Sequence, residues 1–172
     1  MQLWFCFDAD DCFHLSFYDA AMMKRNIFIA FVLLCLVGAS IMLLIYHDRN
    51  RESYNFIQGL AYGLNISPND TLIVSFFHPE CDICHSMFPQ YKEHQTKCSI
   101  ILICYESDSV IQQTATTYEW NHYPNIHLVS DSTFHCSNHL LVNSCPSTFT
   151  IVPKSEQVKR KIGYTNFKKI LP

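Results

Sequence analysis

Cys81 and Cys84 stand two residues apart in SFFHPECDICHSMFPQ (75–90), and His85 follows at once. Three chemistries use that spacing. Cys-x-x-Cys serves as a redox dithiol or as half of a zinc site, and with a following His it is the attachment motif of c-type haem. A structural zinc site needs a second pair of Cys or His at comparable spacing. His135, Cys136 and His139 in HCSNH offer two ligands, but the two histidines read more simply as one face of a short helix. CDICH fits the haem pattern in full, yet a small cytochrome carries it near the start of an all-helical domain, whereas here it follows a hydrophobic strand. For the redox reading the same context is favourable. A dithiol between a strand and a helix puts the first sulfur at the helix N-terminus, where the dipole and free backbone N–H groups stabilise a thiolate. Cys84, one turn in, can then attack a mixed disulfide formed on Cys81. A fourth use is a Cu(I) ligand set of the pair with His85, or with Cys145 where the fold brings it alongside.

The elements that must hold these cysteines are legible in outline. RESYNFIQGLAYGLN (51–65) has apolar residues at helical spacing and ends at the turn signal SPND. TLIVSFF (71–77) predicts a buried strand. HSMFPQYKEHQ (85–95) predicts a helix that Pro89 kinks or restarts. CSIILICYE (98–106) is the next strand, SDSVIQQTATTYEW (107–120) a helix, NIHLVSD (125–131) a strand and STFHCSNHLLV (132–142) a short helix. STFTIVP (147–153) and QVKRKIGY (157–164) read as an antiparallel hairpin, followed by a short terminal helix or tail. Alternating strands and helices closed by a hairpin give an α/β fold, a mixed sheet flanked by helices.

TLIVSFFHPECDICHSMFP, PNIHLVSDSTF and CPSTFTIVPKSEQVKRKIGY together resemble the thioredoxin superfamily, and more narrowly its membrane-anchored, extracytoplasmic TlpA-like branch. The resemblance covers about residues 51–170. It implies that Pro146 is a cis-proline packed against the dithiol, and that the backbone at Cys145 and Pro146 pairs with an extended substrate peptide. It also implies thiol–disulfide oxidoreductase activity through Cys81 and Cys84, with protein disulfides as substrates, a membrane electron donor and no cofactor. The sequence departs from the pattern at three points. Glu80 stands where most relatives have an aromatic residue, Asp82-Ile83 lies between the cysteines without the usual Pro, and Ser75 replaces the buried acid of thioredoxins proper. Glu80 and Asp82 disfavour a thiolate on Cys81 and so tilt the couple towards a reductase, while a protonated His85 pulls the other way.

Ahead of this domain, Ile27 to Tyr46 reads IFIAFVLLCLVGASIMLLIY, twenty residues without a charge and long enough to span about 30 Å of hydrocarbon as a helix. A cleaved signal has a shorter apolar region. The expected organisation is therefore a cytoplasmic or mis-started tail (1–25), a transmembrane signal anchor (26–46, membrane-embedded through 27–46) and a thioredoxin-like domain (47–172). Lys24 and Arg25 before the span are matched by Arg49 and Arg51 after it, so charge does not fix orientation. The shape of a chain starting at Met23 suggests a cytoplasmic N-terminus, with 47–172 beyond the inner membrane, and residues 1–22 as an over-extended start or unstructured tail. The formal charge of −3 gives no reason to expect nucleic acid. Of the nine cysteines, Cys6 and Cys12 carry no expected function and Cys35 sits in the span. Cys98 and Cys104 read as buried structural residues, and Cys136 and Cys145 could be bridged. Cys145 could also be a third redox thiol.

Overall fold

A computed structural model describes residues 5–6, 12–13, 17–153 and 156–169, with side chains from Met22 onward. It divides into two compact units, Met1–His47 and Asp48–Pro172. In the first, two two-residue strands, β1 (Phe5–Cys6) and β2 (Cys12–Phe13), pair antiparallel, and a helix, α1, begins at Phe17. The expectation of an over-extended start or unstructured tail over residues 1–22 falls largely outside the described residues, as do the side chains of Cys6 and Cys12. One correction concerns α1, which runs unbroken from Phe17 to Gly63 and merges the apolar span with the helix expected at 51–65. No Gly or Pro interrupts the backbone ladder between Tyr46 and Gly59, so the charged stretch HDRNRE continues the helix. Met22–Gly63 is long and apolar enough to cross a bilayer.

The helix stops by a Schellman arrangement. Asn65 takes a left-handed φ of 56°. Its N–H bonds the Tyr62 carbonyl at 3.1 Å, and the Ile66 N–H reaches the Ala61 carbonyl at 2.9 Å. The chain then enters β3 (Leu72–Phe77), six consecutive buried residues, followed by α2 (Asp82–His94) and the equally buried β4 (Ser99–Cys104). Next come α3 (Asp108–Thr117), a 3-10 turn at Trp120–His122, β5 (Ile126–Ser130), α4 (His135–His139) and the hairpin β6 (Ser147–Ile151) and β7 (Val158–Ile162). A 3-10 turn at Phe167–Lys169 closes the described chain. Pro89 neither restarts nor ends α2. It lies on the solvent face two turns in.

The five-stranded sheet has the order β5-β4-β3-β6-β7. β3, β4 and β5 run parallel, with Ile73 opposite Ile100 and Leu102 opposite Leu128; β6 and β7 are antiparallel, with Ser75 opposite Thr148. Uninterrupted burial of β3 and β4 requires cover on both faces. One face packs Phe77, Cys84, Phe88, Tyr91, Trp120 and Phe167, the other Ile57, Ala61, Phe76, Ile103, Leu140 and Phe149. Three parallel strands thus end on one rim, where β6 also begins, and residues far apart in sequence meet there.

Candidate active site

Cys81 is the residue that caps α2. Its backbone is extended (φ −92°, ψ 107°), and its Sγ accepts the Cys84 N–H at 3.2 Å. A sulfur held this way takes a backbone N–H and the positive end of the helix dipole together, both of which favour a thiolate. Cys81 is partly exposed, whereas Cys84 is fully buried. Burial pushes the Cys84 thiol far up, with the Cys81 contact adding to it. Both are thiols in this structure. The order of exposure follows from helix geometry, since a residue three positions into the first turn lies under the cap and against the sheet.

The rim brings a distant residue to this pair. The Cys145–Pro146 bond is cis, and the Cys145 carbonyl lies 3.8 Å from Cys81 Sγ. Burial pushes the Cys145 thiol up to about 11, and the Tyr105 hydroxyl pulls it the other way. Cys81, Cys84, Cys145 and Pro146, named from sequence, therefore form one locus. The neighbours named as tuning residues sit differently. Glu80 and Asp82 are exposed, and neither carboxylate has an ion pair or hydrogen bond among the described residues. The His85 Nε2 bonds the Pro79 carbonyl, and its ring lies 5.1 Å from Phe88 and 5.9 Å from Tyr118.

Two groups escaped the sequence reading, and a third, around Ser75, was named there only as a departure from the family pattern. His78 organises the loop before the dithiol: its Nδ1 accepts the Glu80 N–H at 3.2 Å, its Nε2–H then donates to Glu106 Oε1 at 3.2 Å, and its carbonyl accepts the Cys81 N–H at 3.1 Å. A His three residues before a dithiol was the available signal. Its partner, Glu106, is local to another strand and gave none. Beneath the site, Ser75 joins a buried set of hydroxyls, 2.8 Å from Tyr91 Oη and 3.3 Å from Thr148 Oγ1. Tyr105 and Phe134 stack at the rim with centroids 5.6 Å apart.

The competing chemistries fit poorly. Thioether attachment of haem needs both sulfurs to meet the ring edge, and Cys84 is enclosed by the core. Among the described residues no three His, Cys, Asp or Glu side chains gather as a metal site. Cys136, like Cys98 and Cys104, is a buried free thiol, and it is not bridged to Cys145.

No protein-family model and no curated protein match this chain. Solved structures do. A candidate thioredoxin from Neisseria meningitidis matches with TM-score 0.50 and 17% identity, over 59% of this chain and 70% of its own. A secreted disulfide oxidoreductase of Mycobacterium tuberculosis gives 0.48 and 13% (59% and 78%), and StoA of Bacillus subtilis 0.44 and 20% (59% and 80%). At such identities the likeness concerns the fold, and the first of the three carries it together with the strand order. From Asp48 onward, this chain has a thioredoxin-like fold.

Proposed function

We propose that the chain is a membrane-anchored thiol–disulfide oxidoreductase that reduces disulfides in proteins outside the cytoplasm. The observation that carries this is the half-exposed Cys81 Sγ at the N-terminus of α2, with Cys84 buried one turn behind it and the Cys145 carbonyl 3.8 Å away.

The chemistry divides into two exchanges. The Cys81 thiolate attacks one sulfur of a substrate disulfide, the S–S bond breaks, and the other substrate sulfur leaves as a thiolate that takes up a proton. The Cys84 thiol then loses its proton and attacks the Cys81 sulfur of the mixed disulfide. The substrate's second thiolate departs, and Cys81–Cys84 becomes a disulfide. Two electrons pass to the substrate, and a membrane donor must return them. Because burial holds the Cys84 proton tightly, the second exchange needs that proton to be removed as the sulfur attacks. The backbone at Cys145–Pro146 lies where an extended substrate chain could align beside Cys81.

The apolar run within α1 supports anchoring through residues 27–46, and the proposal puts 47–172 beyond the inner membrane. Exposed Glu80 and Asp82, with no Lys or Arg between Glu52 and Tyr91, favour the disulfide over the thiolate and support the reducing direction.

Thiol trapping tests the assignment. Cys84→Ser should accumulate mixed disulfides with substrate proteins, seen as reductant-sensitive adducts, and Cys81→Ser should not. The reverse pattern would assign the nucleophile to Cys84 and overturn the mechanism.

A further inference from the structure

We propose that Tyr105 and Phe134 form a specificity subsite, selecting protein disulfides that carry a large apolar side chain, aromatic above all, within about three residues of the reacting cysteine. This rests on the thiol–disulfide reading and names its substrate class.

Phe134 is the unusual residue. Its side chain is 51% exposed, and its backbone is left-handed at φ 57°. A bulky aromatic is disfavoured in that conformation, and surrounding structure must hold it in place. Here it is held on every side. The Phe134 N–H donates to the Asp131 carbonyl at 2.8 Å, and its own carbonyl accepts the Asn138 N–H at 3.0 Å and the Ser137 hydroxyl at 3.2 Å. The buried Asp131 carboxylate fixes the next turn by accepting the Cys136 and Ser137 N–H groups at 2.9 and 2.8 Å. A rigid loop therefore presents an exposed ring in a backbone state that another residue type would occupy at lower cost.

What the ring faces connects it to the dithiol. Phe134 stacks on Tyr105 with a 26° tilt, and Tyr105 packs against the same core cluster as Cys145, the residue whose carbonyl lies beside Cys81 Sγ. The aromatic pair thus shares the rim of the sheet with Cys145. Ile83, between the two cysteines and 52% exposed, adds apolar surface next to the dithiol. An extended chain advances about 3.3 Å per residue. A substrate cysteine joined to Cys81 would carry side chains one to three residues away over this wall. A partner with apolar residues flanking its disulfide, such as an incompletely folded exported protein, matches that surface.

The experiment uses the full chain in detergent micelles and two disulfide-linked peptides that differ in one residue, Phe or Ser two positions from the cysteine. The wild-type protein should reduce the Phe peptide with kcat/KM about 5- to 20-fold higher, the difference falling mainly on KM. Phe134→Asn should bring that ratio near one, and Phe134→Leu should retain most of it. Asn accepts the left-handed backbone readily, so Phe134→Asn should unfold at the same or a higher denaturant midpoint, and a lost ratio cannot be assigned to misfolding. Equal rates on both peptides by the wild type, or an unchanged ratio in Phe134→Asn, would overturn the subsite while leaving the redox reading intact. Failure to reduce glutathione disulfide or either peptide would overturn the redox reading, and the subsite with it.

Discussion

Glu80 and Asp82 bracket Cys81 in sequence, and both side chains stand in solvent without a partner among the described residues. These two charges beside the cap of α2 carry the reducing direction proposed above. Replacing them together, Glu80→Gln with Asp82→Asn, should make the couple more oxidising by about 10–40 mV, measured against a glutathione buffer, and the shift should shrink in high salt. No shift, or one in the reducing direction, would mean that the carboxylates do not act on the sulfur. The His85 ring, the third neighbour in this stretch, bonds the Pro79 carbonyl and lies beside Phe88 and Tyr118. The proton question at Cys84 belongs to the same scale. The buried polar neighbour on β3 is the Ser75 hydroxyl, bonded to Tyr91 and Thr148, and none of these is a base at neutral pH.

Among the elements, α4 is five residues long and would not be stable alone. Asp131 holds it, with both carboxylate oxygens on backbone N–H groups and the side chain 98% buried, given its 2% exposure. Asp131→Ala should destabilise the folded unit by about 1–3 kcal/mol, read from urea unfolding as a lowered midpoint with unchanged slope. A change below about 0.5 kcal/mol would show that tertiary packing of Cys136 and Leu140 alone seats the helix. Helix α2 illustrates the opposite case. It keeps its course through Pro89 because its buried stripe of Cys84, Met87, Phe88 and Tyr91 packs against the sheet and outweighs one lost backbone bond.

Over the whole molecule the thiols give a stability signature. Burial pushes up Cys84 and Cys104, takes Cys98 to about 12, and takes Cys136 and Cys145 to about 11. Each is an acid whose folded pKa lies above its unfolded value near 9. The folded state thus keeps protons that the unfolded state releases, and stability must fall as pH rises from about 9 towards 11. Each such thiol contributes up to about 1.4 kcal/mol per pH unit inside that window. Urea unfolding of the reduced protein at pH 8, 9 and 10 should show an accelerating loss, made shallower by Cys98→Ala. A flat profile would indicate that these thiols ionise as freely in the folded chain as in the unfolded one.

The dithiol, the alternation of strands and helices, the closing hairpin and the apolar run are legible in the amino-acid order alone. Each is a local pattern: a spacing of three, a period of two or 3.6, or twenty residues without charge. The sequence also pointed to Cys145 and Pro146, through a family resemblance. What it could not supply was contact between segments distant in the chain. His78 meets Glu106 across 28 residues, and Ser75 meets Thr148 across 73. Tyr105 and Phe134 stack because β4 and β5 end on the same rim. Such pairs have no periodic signature; register and strand order create them, and those follow from how the whole sheet buries both faces. The direction of His85 was likewise decided in three dimensions, by the Pro79 carbonyl and the two aromatic rings that its side chain meets.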